Sequence, residues 1–90
     1  MNAKQVAMWL YNKVLDEEVV FQYHAVREIE EKFGEKFVYI NKNGNKAINE
    51  KVTKAFREIN VEGKVQWDAL GYKWVLMLSD DEAEDLLKKL

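Results

Sequence analysis

The chain has 90 residues, of which 48% are hydrophobic and 33% charged, and its formal net charge is −2. These values are typical of one small globular domain, and they exclude a disordered chain and argue against a strongly cationic one. The lack of cysteine in the sequence excludes disulfides, thiolate metal sites and a cysteine nucleophile. No apolar stretch is long enough for a targeting signal or a membrane span, so we expect a cytoplasmic location.

The first half of the chain alternates between helical and extended patterns. Apolar residues at a spacing of three or four predict a helix over residues 3–15, and the short apolar run 19–21 predicts a brief strand. A second helix is predicted over 23–33 and ends at Gly34, because glycine commonly follows the last helical residue. The apolar stretch 35–40 that comes next is assigned to no element.

The second half of the chain predicts a third helix followed by a β-hairpin. A polar turn occupies residues 41–45, and Asn45 is a suitable N-cap for a helix over 46–60. The apolar residues of that helix form one stripe, from Ile48 to Ile59. Aromatic and β-branched residues then predict two strands, at 64–67 and 72–76, joined by a turn.

The last twelve residues predict a short amphipathic helix. Ser79 and Glu82 form a capping box, and the apolar residues after them fall on one side. We therefore divide the chain into a domain at residues 1–78 and a helix at 79–90 that packs on it. The predicted core consists of Val6, Leu10, Val14, Val26, Ile29, Phe33, Ile48, Val52, Phe56, Ile59, Trp67 and Trp74.

The order of these elements, helix, strand, helix, helix and hairpin, is the order of a winged helix. The residues that carry a narrower resemblance are Phe33–Asn41, Asn43–Asn45, Ala47, Ile48, Val52, Phe56, Val65–Trp67 and Trp74. The chain resembles a winged helix-turn-helix domain and, more narrowly, a family of short bacterial and phage-borne proteins of unknown function, over about residues 5–76. The resemblance implies an α+β fold with a three-helix core and a small antiparallel sheet, in which the early strand pairs with the hairpin. The segment between the second and third helices is long for a helix-turn-helix.

The polar side of the predicted helix 46–60 is a candidate DNA-binding surface. Placed at steps of about 100°, its polar side chains lie opposite the apolar stripe. Asn49 and Thr53 are expected to face bases, whereas the cations are expected to neutralise phosphates. Residues 37–64 contain six basic and three acidic side chains, which favours this segment over the rest of the acidic chain. The predicted DNA-binding residues are Lys42, Lys46, Asn49, Thr53, Lys54, Arg57 and Lys64.

The alternative function is a protein-interaction or dimerisation module that binds no nucleic acid. Trp9 and Tyr11, together with the C-terminal leucines, would provide the apolar surface for a protein partner or a second copy. We expect no enzyme activity, catalytic residue, cofactor or metal site. His24 is the only histidine, and Ser79 and Thr53 each have a structural role instead of a basic partner.

Overall fold

The computed structural model describes residues 1–77 and 88, and within them the chain is a mixed α+β structure. These residues form three α-helices, one 3-10 turn and five strands in two small antiparallel sheets. In chain order, the elements are α1 (Ala3–Glu17), β1 (Val19–Phe21), α2 (Gln22–Phe33), the 3-10 turn (Glu35–Phe37), β2 (Val38–Ile40), β3 (Lys46–Ile48), α3 (Glu50–Ile59), β4 (Val65–Asp68) and β5 (Lys73–Leu76).

The first helix begins at a reciprocal cap. Asn2 Oδ1 accepts a hydrogen bond from the backbone N–H of Gln5, and Gln5 Oε1 accepts one from the backbone N–H of Asn2, both at 2.9 Å. This capping box satisfies two backbone donors that the helix itself cannot pair. The helix then buries Val6, Leu10 and Val14 at the spacing that the sequence predicts.

The larger sheet joins the early strand to the C-terminal hairpin, as expected. Its strand order is β1-β5-β4, and both pairings are antiparallel. Val20, Trp74 and Trp67 lie side by side across the three strands, so they share one face of the sheet. This face looks toward the helices, because Val20 and Trp74 are buried in the same core as α1, α2 and α3.

The predicted helix over 46–60 is wrong at its start. Residues Lys46–Ile48 form β3, which pairs with β2 in the register Val38↔Ile48 and Ile40↔Lys46. Helix α3 covers Glu50–Ile59, and its N-cap is Asn49 instead of Asn45.

The turn before β3 explains this difference. Asn41 Oδ1 accepts hydrogen bonds from the backbone N–H groups of Asn43 and Asn45, each at 3.0 Å, and Gly44 takes a φ of +80° that favours glycine. The chain thereby reverses into a hairpin, and residues 46–48 satisfy their backbone groups against β2. Ala47 and Ile48 remain buried, but as strand residues.

The core contains most of the residues that the sequence predicts. Phe33 and Ile59 lie at its edge, half-buried, and Trp67 is 44% exposed. The sequence-based core lacks several residues that the structure buries, namely Ala7, Val20, Ala25, Phe37, Ala47 and Val65. The predicted helix at 79–90 lies outside the described residues. Within 1–77 and 88, no helix has both the length and the apolarity to cross a bilayer.

Candidate binding site between α3 and the β4–β5 hairpin

Helix α3 presents three exposed cations, Lys51, Lys54 and Arg57, of which the last two lie toward the C-terminal half of the helix. Val52 and Phe56 are buried, whereas Lys54 on the opposite side and Arg57 beside Phe56 are exposed. Because they are three positions apart, their side chains extend from the same helix face. Neither makes a hydrogen bond or an ion pair with another described residue, so both are available to an anion within this part of the chain.

The two residues predicted to face bases hydrogen-bond within the protein. Asn49 Oδ1 accepts from the backbone N–H of Lys51 at 2.8 Å, and its Nδ2 donates to the Lys36 carbonyl at 3.4 Å. Thr53 is half-buried, and its hydroxyl donates to the Glu50 carbonyl at 3.0 Å. Asn49 therefore fixes the start of α3, and Thr53 lies one turn further on, beside Arg57.

The three predicted lysines outside α3 lie at three separate places. Lys46 is on β3, and its ammonium contacts both carboxylate oxygens of Glu30 at 2.8 and 2.9 Å. The Lys64 ammonium is 3.2 Å from Glu62 Oε2, just before β4. Lys42 is exposed in the turn of the β2–β3 hairpin. The structure thus brings Thr53, Lys54 and Arg57 together and leaves the other predicted site residues apart from them.

The tip of the β4–β5 hairpin is apolar, and the one cation near it, Lys73, is paired with another described residue. Asp68 Oδ1 accepts from the backbone N–H groups of Leu70 and Gly71, each at 3.1 Å, which closes the turn. The ammonium of Lys73 is 3.8 Å from Asp68 Oδ2 and 5.6 Å from the centre of the Phe21 ring. Leu70 is 97% exposed, so an apolar side chain stands where a phosphate-binding tip would have a base.

A pocket of about 360 Å³ lies between α3 and this hairpin. Its lining residues are Leu10, Gln22, Thr53, Phe56, Arg57, Trp67 and Trp74. The Trp74 ring centre is 4.9 Å from that of Trp67 and 5.9 Å from that of Phe56, so aromatic rings form one continuous wall. The sequence predicts Phe56, Trp67 and Trp74 in the core and gives no indication of a role for Gln22. The signal that could have found the pocket is the pair Trp67 and Trp74, which a hairpin places opposite each other.

The residues of the predicted protein-interaction surface contact the domain itself. The Trp9 ring packs edge-on against Phe33 at 5.5 Å, and the Tyr11 ring packs against Phe56 at 5.8 Å. Both are half-buried. The C-terminal leucines of that predicted surface lie outside the described residues.

A second polar cluster joins α1 to α2. Lys13 contacts Glu17 at 2.7 Å and Glu28 at 2.9 Å. Hydrogen bonds to Glu17 and then to Glu28 raise the pKa of Lys13, because both carboxylates favour its charged form. The Lys13–Glu28 ion pair thus connects α1 to α2. Among the described residues, no three histidine, aspartate or glutamate side chains are arranged to hold a metal ion.

The described residues define a small α+β domain with an aromatic pocket, and the exposed cations Lys54 and Arg57 lie on the helix beside the hairpin. A protein-family model, described as a family of unknown function (DUF6953), matches residues 2–76. Because the match covers most of the chain, the protein belongs to this family. No curated protein and no solved structure matches the chain.

Proposed function

We propose that the protein binds double-stranded DNA as a winged helix, with α3 entering the major groove. The observation that carries this proposal is that the β4–β5 hairpin follows α3 in the chain and pairs with the early strand β1, which gives the strand order β1-β5-β4. In a winged helix, the hairpin after the third helix pairs with the short early strand, and the third helix reads the groove. The β2–β3 hairpin is then an insertion between the second and third helices, in place of a tight turn.

The charges on α3 support a contact with phosphates. Lys54 and Arg57 are exposed on one face and make no ion pair with other described residues. Glu50 and Glu58 are exposed on the same helix and would repel the backbone, and the formal net charge is −2. We therefore expect weak binding that depends strongly on salt, with Thr53, Lys54 and Arg57 at its centre.

Charge reversal on α3 tests the proposal. The double variant Lys54→Glu/Arg57→Glu should weaken binding to a labelled random duplex more than about tenfold at low salt. It should also lower the slope of log Kd against log salt by about two, because two phosphate contacts are lost. Fluorescence anisotropy over a salt series measures both quantities.

The matched control is Lys4→Glu/Lys32→Glu, which makes the same charge change at exposed positions on α1 and α2. It should retain most of the affinity. If the two double variants weaken binding equally, or if the wild type does not bind the duplex at low salt, the proposal is wrong.

The hairpin tip favours a second candidate function, a homodimer formed through the β4–β5 hairpin. Leu70 and Tyr72 are 97% and 65% exposed, and Tyr72 keeps a φ of +50° although Gly71 precedes it. Non-glycine residues in such a strained conformation are concentrated at functional sites, which favours a role for this tip. Sedimentation equilibrium should show a dimer that Leu70→Ser/Tyr72→Ser converts to a monomer. A wild type that stays monomeric at millimolar concentration would rule this function out.

A further inference from the structure

We infer that the pocket between α3 and the β4–β5 hairpin binds a small aromatic carboxylate. The ring of the ligand lies against Phe56, Trp67 and Trp74, and its carboxylate pairs with Arg57. This inference does not depend on DNA binding, because it concerns the pocket of the free protein.

The size and the walls of the pocket suit a ligand with one aromatic ring. A volume of about 360 Å³ is at the lower end of the range of ~300–1,000 Å³ that small-molecule sites have. Leu10 and three aromatic side chains form the apolar wall. The Trp67 and Trp74 rings are tilted by 55° to each other, so they present faces and edges on which a further aromatic ring can pack.

The burial of Trp67 sets it apart from its neighbours on the same sheet face. Its position in the register places it beside the buried Trp74, yet it is 44% exposed, against 8% for Trp74. The two indoles therefore line the pocket with one buried ring and one ring that is half exposed to solvent. A ring that packs there would cover apolar surface of Trp67 that water now contacts, which favours binding.

The charge of the pocket selects an anion. Arg57 is the charged residue among those that line it, and its guanidinium has no ion pair or hydrogen bond with another described residue. A planar guanidinium binds a carboxylate through two parallel hydrogen bonds, a geometry that a lysine cannot provide. Gln22 and Thr53 supply further polar atoms at the pocket. An apolar wall beside one such cation is complementary to an aromatic ring that carries a carboxylate.

The three tryptophans of the chain allow a direct test by NMR. Trp67 and Trp74 line the pocket, whereas Trp9 packs on Phe33 and serves as an internal control. Titration of the ¹⁵N-labelled full chain with 3-phenylpropionate should shift the indole N–H resonances of Trp67 and Trp74 and leave that of Trp9 in place. We expect saturation with a Kd of about 0.1–1 mM, as a ligand this small allows. The neutral amide, 3-phenylpropionamide, should bind at least about tenfold more weakly, because it cannot form the ion pair.

A pair of charge-removing variants completes the test. Arg57→Gln should weaken carboxylate binding at least about tenfold and remove the preference over the amide. Lys51→Gln removes the same charge from an exposed position of α3 that does not line the pocket, and it should bind like the wild type. The inference is overturned if Trp67 and Trp74 do not shift, if acid and amide bind equally, or if Arg57→Gln binds as the wild type does. Since no DNA is present, a failure of DNA binding leaves these results unaffected.

Discussion

Replacing Trp74 with alanine should lower the free energy of unfolding by about 3–5 kcal/mol, the largest effect that we expect from one substitution. The ring is 8% exposed, lies between Val20 and Trp67 in the sheet, and packs against Phe56 of α3. Its loss therefore leaves a cavity where the sheet meets the helix. Native domains have a total stability of about 5–15 kcal/mol, so this one substitution would remove a large share of it.

Trp67→Ala is the matched control for this substitution. The same side chain is removed from the neighbouring position on the same sheet face, but its ring is 44% exposed. We expect a loss of about 1 kcal/mol. Urea unfolding followed by far-UV circular dichroism measures both variants without depending on tryptophan fluorescence. Equal losses would show that Trp74 does not join the sheet to α3 as described.

Asn60→Ala should destabilise the protein by about 2–3 kcal/mol, although this residue lies at the end of a helix. The Asn60 Nδ2 donates to the Val65 carbonyl at 2.7 Å, and its Oδ1 accepts from the Val65 backbone N–H at 3.2 Å. Val65 is 3% exposed, so alanine would leave two poorly solvated backbone groups without partners. The amide therefore connects the end of α3 to the start of β4.

Asn45→Ala provides the comparison for Asn60→Ala. Asn45 is exposed in the β2–β3 turn, and its side chain makes no hydrogen bond with the described residues. Its substitution should change stability by less than about 0.5 kcal/mol. Hydrogen exchange of the Val65 amide should accelerate in Asn60→Ala alone. If both variants are equally stable and Val65 exchanges at the wild-type rate, the connection contributes nothing.

The local sequence pattern was sufficient to predict a helix or a strand wherever the residues favour only one of the two. The periodicity of α1 and α2 and the β-branched or aromatic residues of β1, β4 and β5 each indicate one structure only. At Ile48 the local pattern fits both a helix and a strand. Ile48 lies four positions before Val52, which continues a helical stripe, but it also fits a strand paired with Val38. The asparagine-glycine turn decided between them, because it brings β2 and β3 together.

The candidate site was predictable only where it lies on a single helix. Lys54 and Arg57 are placed on one face by helical periodicity alone. The pocket joins residues from α1, α2, α3 and the hairpin, so only tertiary packing brings its walls together. The prediction that Trp67 belongs to the core is wrong, because its ring is 44% exposed, and periodicity along the strand cannot show how far the core extends beneath the sheet.

The β2–β3 hairpin offers a position at which the length of the chain can change at little cost. Its paired residues end at Ile40 and Lys46, and residues 42–45 are exposed. An insertion between Lys42 and Asn43 removes the two exposed hydrogen bonds that Asn41 Oδ1 accepts from Asn43 and Asn45. Because the cost of loop closure rises only slowly with loop length, a peptide tag or a fluorophore-bearing segment inserted there should still leave the core of the domain folded. A fluorophore placed there would lie near the start of α3, where β3 leads into the helix. It could report binding without covering the exposed cations of α3 or the aromatic pocket.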